Sequence, residues 1–224
     1  MEFKNIIFLL VSTFMIFIIG CKSNRDGKIF LSKEKELNII FPKLKAWFEC
    51  YSNTKVKDKL KKTNILDRDI IGVYLESNIE LNNINQKDLD NFAIFFKPEK
   101  TISLKEKQDL EKIFNNSYKS WPINKISRID ALNDAKLIEY FNSEQMAYID
   151  SRKVHENVYS SLFITNRLDS EAKISPMIFI LNLINIKNRL LTSAFYFELK
   201  EINSYEKAYC NNDQIMLKFI EENE

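Results

Sequence analysis

Two apolar runs of equal length, "MIFILNLINI" at 177–186 and "LLTSAFYFEL" at 190–199, flank the polar tripeptide Lys187-Asn188-Arg189. This pattern constrains the fold more than any other stretch. The runs are rich in β-branched and aromatic residues, which suit a pleated, buried surface. A short Asn-containing linker between them is hairpin chemistry. The rival is one long buried helix from Pro176, because Ser175-Pro176 also makes a good helix start. The β-branched and aromatic content favours the hairpin. A final helix follows, with Tyr205, Ala208, Tyr209, Ile215, Met216, Phe219 and Ile220 recurring on one face.

Strand, strand, amphipathic helix resembles the closing unit of small periplasmic α+β lipoproteins, including PsbP/Mog1-like sandwiches. The resemblance covers about the last fifty residues and rests on pattern. It implies a fold and carries no activity.

Earlier in the chain, Leu37, Ile40, Phe41, Leu44, Trp47, Phe48 and Tyr51 recur every three or four residues, which predicts a helix kinked or split at Pro42. The lysine-rich "KVKDKLKKTN" reads as a solvated continuation. "DIIGVYLESNIEL" and "NFAIFFK" read as strands. Ser103 caps a helix with Leu104, Leu110, Ile113, Phe114 and Trp121 on its apolar face, ended by Pro122. A second helix is expected at "DALNDAKLIEYFNS", and strand character returns at "NVYSSLFITN". With no repeat or low-complexity linker, the expectation is a single α+β domain over 29–224, a mainly antiparallel sheet with packed helices.

The N-terminus predicts where this domain lives. Residues Ile6 to Ile19 are apolar except for Ser12 and Thr13. The run is short of the ~20 residues that span a bilayer and has the proportions of a signal-peptide core. It ends in Ile18-Ile19-Gly20-Cys21, which resembles the lipobox of bacterial lipoproteins. The resemblance implies cleavage after Gly20, a diacylglyceryl group on the Cys21 thiol, and acylation of the new N-terminus. Buried acyl chains contribute about 0.8 kcal/mol per CH₂, so two or three hold a protein on a membrane durably. Residues 1–20 are thus a signal peptide and 21–28 a lipidated tether. Lys22 follows the cysteine where an Asp often retains Gram-negative lipoproteins at the inner membrane, so the resemblance favours the outer membrane, facing the periplasm. A Gram-positive surface lipoprotein and an uncleaved helical anchor are the alternatives.

With Cys21 lipidated, Cys50 and Cys210 are free to pair in an oxidising compartment. Two separate buried thiols are an equal alternative.

Composition excludes several chemistries. Only Gly27 and Gly72 follow the leader, too few for a dinucleotide fingerprint or a P-loop. No cofactor is expected. The single histidine, His155, cannot build a multi-histidine zinc site, and Cys50, Cys210 and His155 have no metal-ligand spacing. Ser160 and Ser161 lie near His155 without a nucleophile elbow. Glu76, Glu139, Glu144 and Asp150 fall in or beside apolar segments and are the candidates for a two-carboxylate glycosidase. Arg128, Arg152, Lys153, Arg167 and Arg189 could meet an acidic partner but are scattered. The formal net charge is +2 with no basic block, which argues against nucleic acid. The expected function is non-enzymatic. An anchored module would bind a protein partner, as an immunity or inhibitor protein or in envelope maintenance. The alternative is a cell-wall glycan hydrolase.

Overall fold

The structure is a computed structural model and describes residues 39–56, 58, 70–76, 91–96, 110–118, 124–143, 146–168 and 174–224. The expected signal peptide, Cys21 and the tether lie outside these residues, as do Ser103, Leu104 and Trp121.

The described chain forms seven strands: β1 Trp47–Glu49, β2 Ile70–Glu76, β3 Phe92–Phe96, β4 Met146–His155, β5 Val158–Leu168, β6 Ile174–Ile186 and β7 Arg189–Glu198. Besides helical residues at 54–56 and 58, its helices are α1 Leu110–Tyr118, α2 Asp134–Ser143 and α3 Asn203–Asn223, with a 3-10 turn at Asp130–Leu132. The strands make one sheet in the order β1-β2-β3-β7-β6-β5-β4, and every neighbouring pair is antiparallel. This is the α+β class expected.

Both faces of the sheet are covered, which explains the near-continuous apolar runs. Along β6, Ile178, Ile180, Ile184 and Ile186 face one cluster with Tyr205, Ile215, Met216 and Phe219 of α3. Met177, Phe179, Leu181 and Leu183 face the other, with Leu110 and Phe114 of α1. The period of two is that of a strand, with a core on each side. Fully burying a side chain of this size contributes about 1.5–3 kcal/mol, so the β6–β7 hairpin and the two helices that cover it dominate the core.

The hairpin forms where the tripeptide predicted it. Ile186 pairs with Arg189, leaving Lys187 and Asn188 as a two-residue turn. Their φ angles are 48° and 62°, the left-handed pair of a type I′ turn. The seven α3 residues expected on one face are all buried.

The helix expected over 37–51 does not form. Residues 39–46 are not helical and Trp47–Glu49 is a strand. Trp47 joins the α3-side cluster and Phe48 the α1-side cluster, so adjacent residues point to opposite faces. Pro42 does not kink a helix. Its carbonyl accepts the Tyr74 hydroxyl at 2.8 Å. Phe41 packs over Gly72, where an added Cβ would lie 2.2 Å from the ring. Tertiary contact here overrides local periodicity.

β4 was not anticipated, because "DSRKVH" breaks its apolar pattern. It is an edge strand, and edges tolerate charge. An extended segment covers part of that edge: Tyr148 donates its N–H to Asn124 and accepts from Ile126.

Candidate functional site

The most concentrated chemistry among the described residues lies where β4 crosses α3. A bulge between Tyr148 and Asp150 shifts the register of β4 against β5. Beyond it, Asp150 and Arg152 both reach α3 side chains. Tyr205, Tyr209 and Asp213 are spaced four apart on α3 and so share one face. The loop before the 3-10 turn adds Arg128.

Arg128 donates to Asp150 at 2.7 Å and to Glu206 at 3.0 Å. The Tyr209 hydroxyl donates to the other oxygen of Asp150. Arg152 donates to Asp213 at 2.6 Å, and its guanidinium sits 3.8 Å from the centre of the Tyr209 ring. Arg128 lies 5.5 Å from the Tyr205 ring and 5.4 Å from the Tyr209 ring. Both arginines thus make cation–π contact with Tyr209. The Tyr205 hydroxyl donates to the Arg128 carbonyl at 3.3 Å and fixes that loop to the helix.

The electrostatics keep the tyrosines neutral. Burial, followed by the bond to Asp150, raises the Tyr209 hydroxyl far above its ordinary range. Burial also raises Tyr205. Asp213 is raised by burial, which outweighs the opposing pull of Arg152. Two arginines face three carboxylates, so the seam is nearly charge-balanced. Arg152 Nε and Asp213 Oδ1 are buried without a hydrogen-bond partner. Tyr205 and Tyr209 are buried beneath the seam, and the two arginines they orient stay partly exposed. Ile129, next to Arg128, is 77% exposed, and Ile202, one turn before Glu206, is 47% exposed.

Behind the seam, α3 is keyed to the sheet by a buried polar network. Asn182 donates to Asn212 at 2.8 Å and to Ser193 at 3.0 Å, and Asn212 donates back to Asn182 at 3.1 Å. Ser160 donates to Asn182. All four residues are fully buried.

Of the residues singled out in the sequence, Arg128, Asp150 and Arg152 come together here. Ser160 belongs to the buried network. Ser161 is buried on the opposite face, and its hydroxyl has no partner. The register sets Ser160 opposite Arg152 and Ser161 opposite Ser151, while His155 faces Val158. His155 Nδ1 accepts the Asn157 N–H at 3.3 Å and lies 4.0 Å from Glu224. Glu76 accepts from Asn91 at 3.3 Å, away from the seam. Lys153 is exposed on β4, and Arg189 closes the β6–β7 turn. Glu144 and the side chains of Glu139 and Arg167 lie outside the described residues.

The pairing of Cys50 with Cys210 is not made. Both are free thiols, Cys50 buried and Cys210 exposed. Cys50 follows a strand rather than sitting on a helix and belongs to the α1-side core, where its thiol donates to the Val73 carbonyl at 3.4 Å. Cys210 is on α3, across the sheet.

Tyr205, Tyr209, Glu206 and Asp213 were legible only as parts of an amphipathic helix. Their spacing of four was the available signal for a shared face, and nothing in the sequence marked β4 as their partner.

No family model matches the chain, and no curated protein does. Two solved structures are similar in fold: a point mutant of the protein Mog1, and the Ran-binding protein Mog1p of Saccharomyces cerevisiae. Each is 10% identical over 80% of this chain, with a TM-score of 0.35. The alignments cover 84% and 83% of those chains respectively. The likeness is to a coarse arrangement of sheet and helices.

Proposed function

We propose that this chain is a lipid-anchored envelope protein whose α+β domain binds a protein partner without catalysing a reaction. The role is immunity- or inhibitor-like, or one of envelope maintenance. Anchoring through Cys21, at the outer membrane facing the periplasm, is supported by the lipobox-like leader. Binding is supported by one observation above all: Ile129 stands 77% exposed beside Arg128, whose partly exposed guanidinium is held by Asp150, Glu206 and the rings of two buried tyrosines. Interfaces draw much of their energy from a few anchors, arginine prominent among them, and an arginine held in place before contact loses less side-chain freedom on binding.

Hydrolysis of cell-wall glycan by an Asp/Glu pair is the second reading. Its one favourable observation is the upward shift of Asp213. Arg152, which bonds Asp213 and pulls its carboxyl toward the charged form, works against it, since a general acid must hold its proton near neutral pH.

A photocrosslinking residue at position 129 of the membrane-anchored protein tests the binding reading in cells. A discrete protein adduct that disappears with Arg128→Ala is expected. Absence of any protein adduct, or release of glycan fragments that stops with Asp213→Asn, would overturn it.

A further inference from the structure

We propose that the outer edge of β4 accepts an extended, acidic peptide strand, extending the sheet by β-addition. The proposal rests on the protein-binding reading and specifies its mode.

β4 is the terminal strand on its side of the sheet. The N–H and C=O of Tyr148 point outward, since they bond Asn124 and Ile126 rather than β5. Tyr148 is opposite Phe163, and the bulge then sets Asp150 opposite Leu162. Bonded and non-bonded pairs alternate along an antiparallel ladder. Asp150 and Arg152 therefore bond inward to β5, whereas Ser151 and Lys153 present their main-chain groups outward. Among the described residues, segment 124–126 bonds Tyr148 alone, and none bonds the outward main-chain groups of Ser151 or Lys153. Main-chain groups on an open edge form a template for another strand.

Charge selects the occupant. Lys125 and Lys153 flank this edge and make no ion pair among the described residues, whereas Arg128 and Arg152 are held by carboxylates. In a symmetric antiparallel pairing of two β4 strands, centring on Arg152 sets the two arginines opposite each other and centring on Lys153 sets the two lysines opposite each other, and like charges across strands destabilise. The second bulge, between Lys153 and His155, also twists the edge away from a flat copy of itself. Lysine and bulges thus oppose self-association, and a strand bearing carboxylates turns the same lysines into attraction.

The test uses the full lipidated protein in detergent micelles and three synthetic hexapeptides. One alternates Glu and Val, one alternates Lys and Val, and the third is the Glu/Val peptide methylated at alternate backbone nitrogens. The Glu/Val peptide should slow hydrogen exchange at the Ser151 and Lys153 amides. It should also bind about tenfold or more tighter than the Lys/Val peptide, from cross-strand charge pairs of up to ~1 kcal/mol each. No slowing at these amides overturns the proposal, as does equal binding of the Lys/Val or methylated peptide. Lys153→Pro removes an outward N–H, a position where proline is tolerated, and should abolish the exchange protection. Lys153→Glu, which keeps the backbone intact, should invert the charge preference. Self-association that Lys153→Pro abolishes would assign the edge to a second copy and overturn the acidic-strand proposal. Adducts at position 129 that survive Lys153→Pro would sink strand addition and leave partner binding standing. Edge protection by the Glu/Val peptide without any adduct at 129 would do the reverse.

Discussion

Replacing Asn182 with leucine tests how α3 is keyed to the sheet. Asn182 is the hub of the buried network, bonded to Ser160, Ser193 and Asn212. In Asn182→Leu, Ser193 keeps its contact with Met216 Sδ at 3.6 Å and the Asn212 amide keeps only a long contact to Ser160 at 3.4 Å. The Asn212 carbonyl oxygen loses its partner. A buried polar group left unpaired costs about 1–3 kcal/mol. With the lost bonds to both serines, the single substitution should cost about 3 kcal/mol, partly offset by leucine's apolar burial. Asn212→Leu is milder, about 1–2 kcal/mol, because Asn182 retains both serines. The two asparagines bond reciprocally, so replacing both removes the pair and leaves no amide stranded. The double variant should cost no more than Asn182→Leu alone. Urea unfolding of residues 29–224 measures all four corners of the cycle, and unchanged m-values would show that the comparison holds. A double variant destabilised by the full sum of the singles would refute the reasoning, because the asparagines would then be contributing independently.

Under native conditions an alkylating reagent should label exposed Cys210 and leave Cys50 untouched until the protein unfolds. Burial, with the nearby Glu49 charge, pushes the Cys50 thiol up to about 12. Mass spectrometry that finds both cysteines protected and then released by reductant would contradict the separation of the two thiols. Lys187→Asn with Asn188→Gly should raise stability by about 1 kcal/mol, since both positions are left-handed and Asn-Gly suits a type I′ turn. A loss on thermal unfolding would show that the turn is not of this kind. Asp213 should titrate above the ordinary 3.8 when followed by carboxyl NMR. Its folded form then holds the proton more tightly than the unfolded chain, so its contribution to stability falls as pH rises from 3.8 through its folded value. Asp213→Asn should remove that dependence, and a measured value at or below 3.8 would reverse the sign.

The sequence was most legible where one kind of periodicity was strong and local chemistry agreed with it. The hairpin at 177–199 had β-branched runs and an Asn-containing turn, and α3 had seven apolar residues on one stripe. It was least legible where a segment is held by distant partners. Residues 39–49 carry a helical spacing of apolar residues, yet Phe41 is fixed by Gly72 and Phe219 and Pro42 by Tyr74. Local spacing cannot register those contacts. β4 escaped notice because an edge strand needs apolar residues on only part of its length. The seam followed it into obscurity. Arg128, Asp150 and Arg152 looked scattered, since the bulge that presents Asp150 and Arg152 to Tyr209 leaves no mark in the sequence. The cysteine pairing was equally illegible, since the strand placing Cys50 in the α1-side core and the helix exposing Cys210 across the sheet are set by tertiary contacts.

The proposed anchoring decides where the proposed binding face would meet a partner, and one measurement tests it most directly. Intact mass spectrometry of the membrane-extracted protein, with sequencing of its N-terminal peptide, reads the processing at Cys21. The expected result is a chain that begins at Cys21 and carries a diacylglyceryl thioether together with an acylated amine. A chain that retains residues 1–20 with an unmodified Cys21 thiol would contradict it.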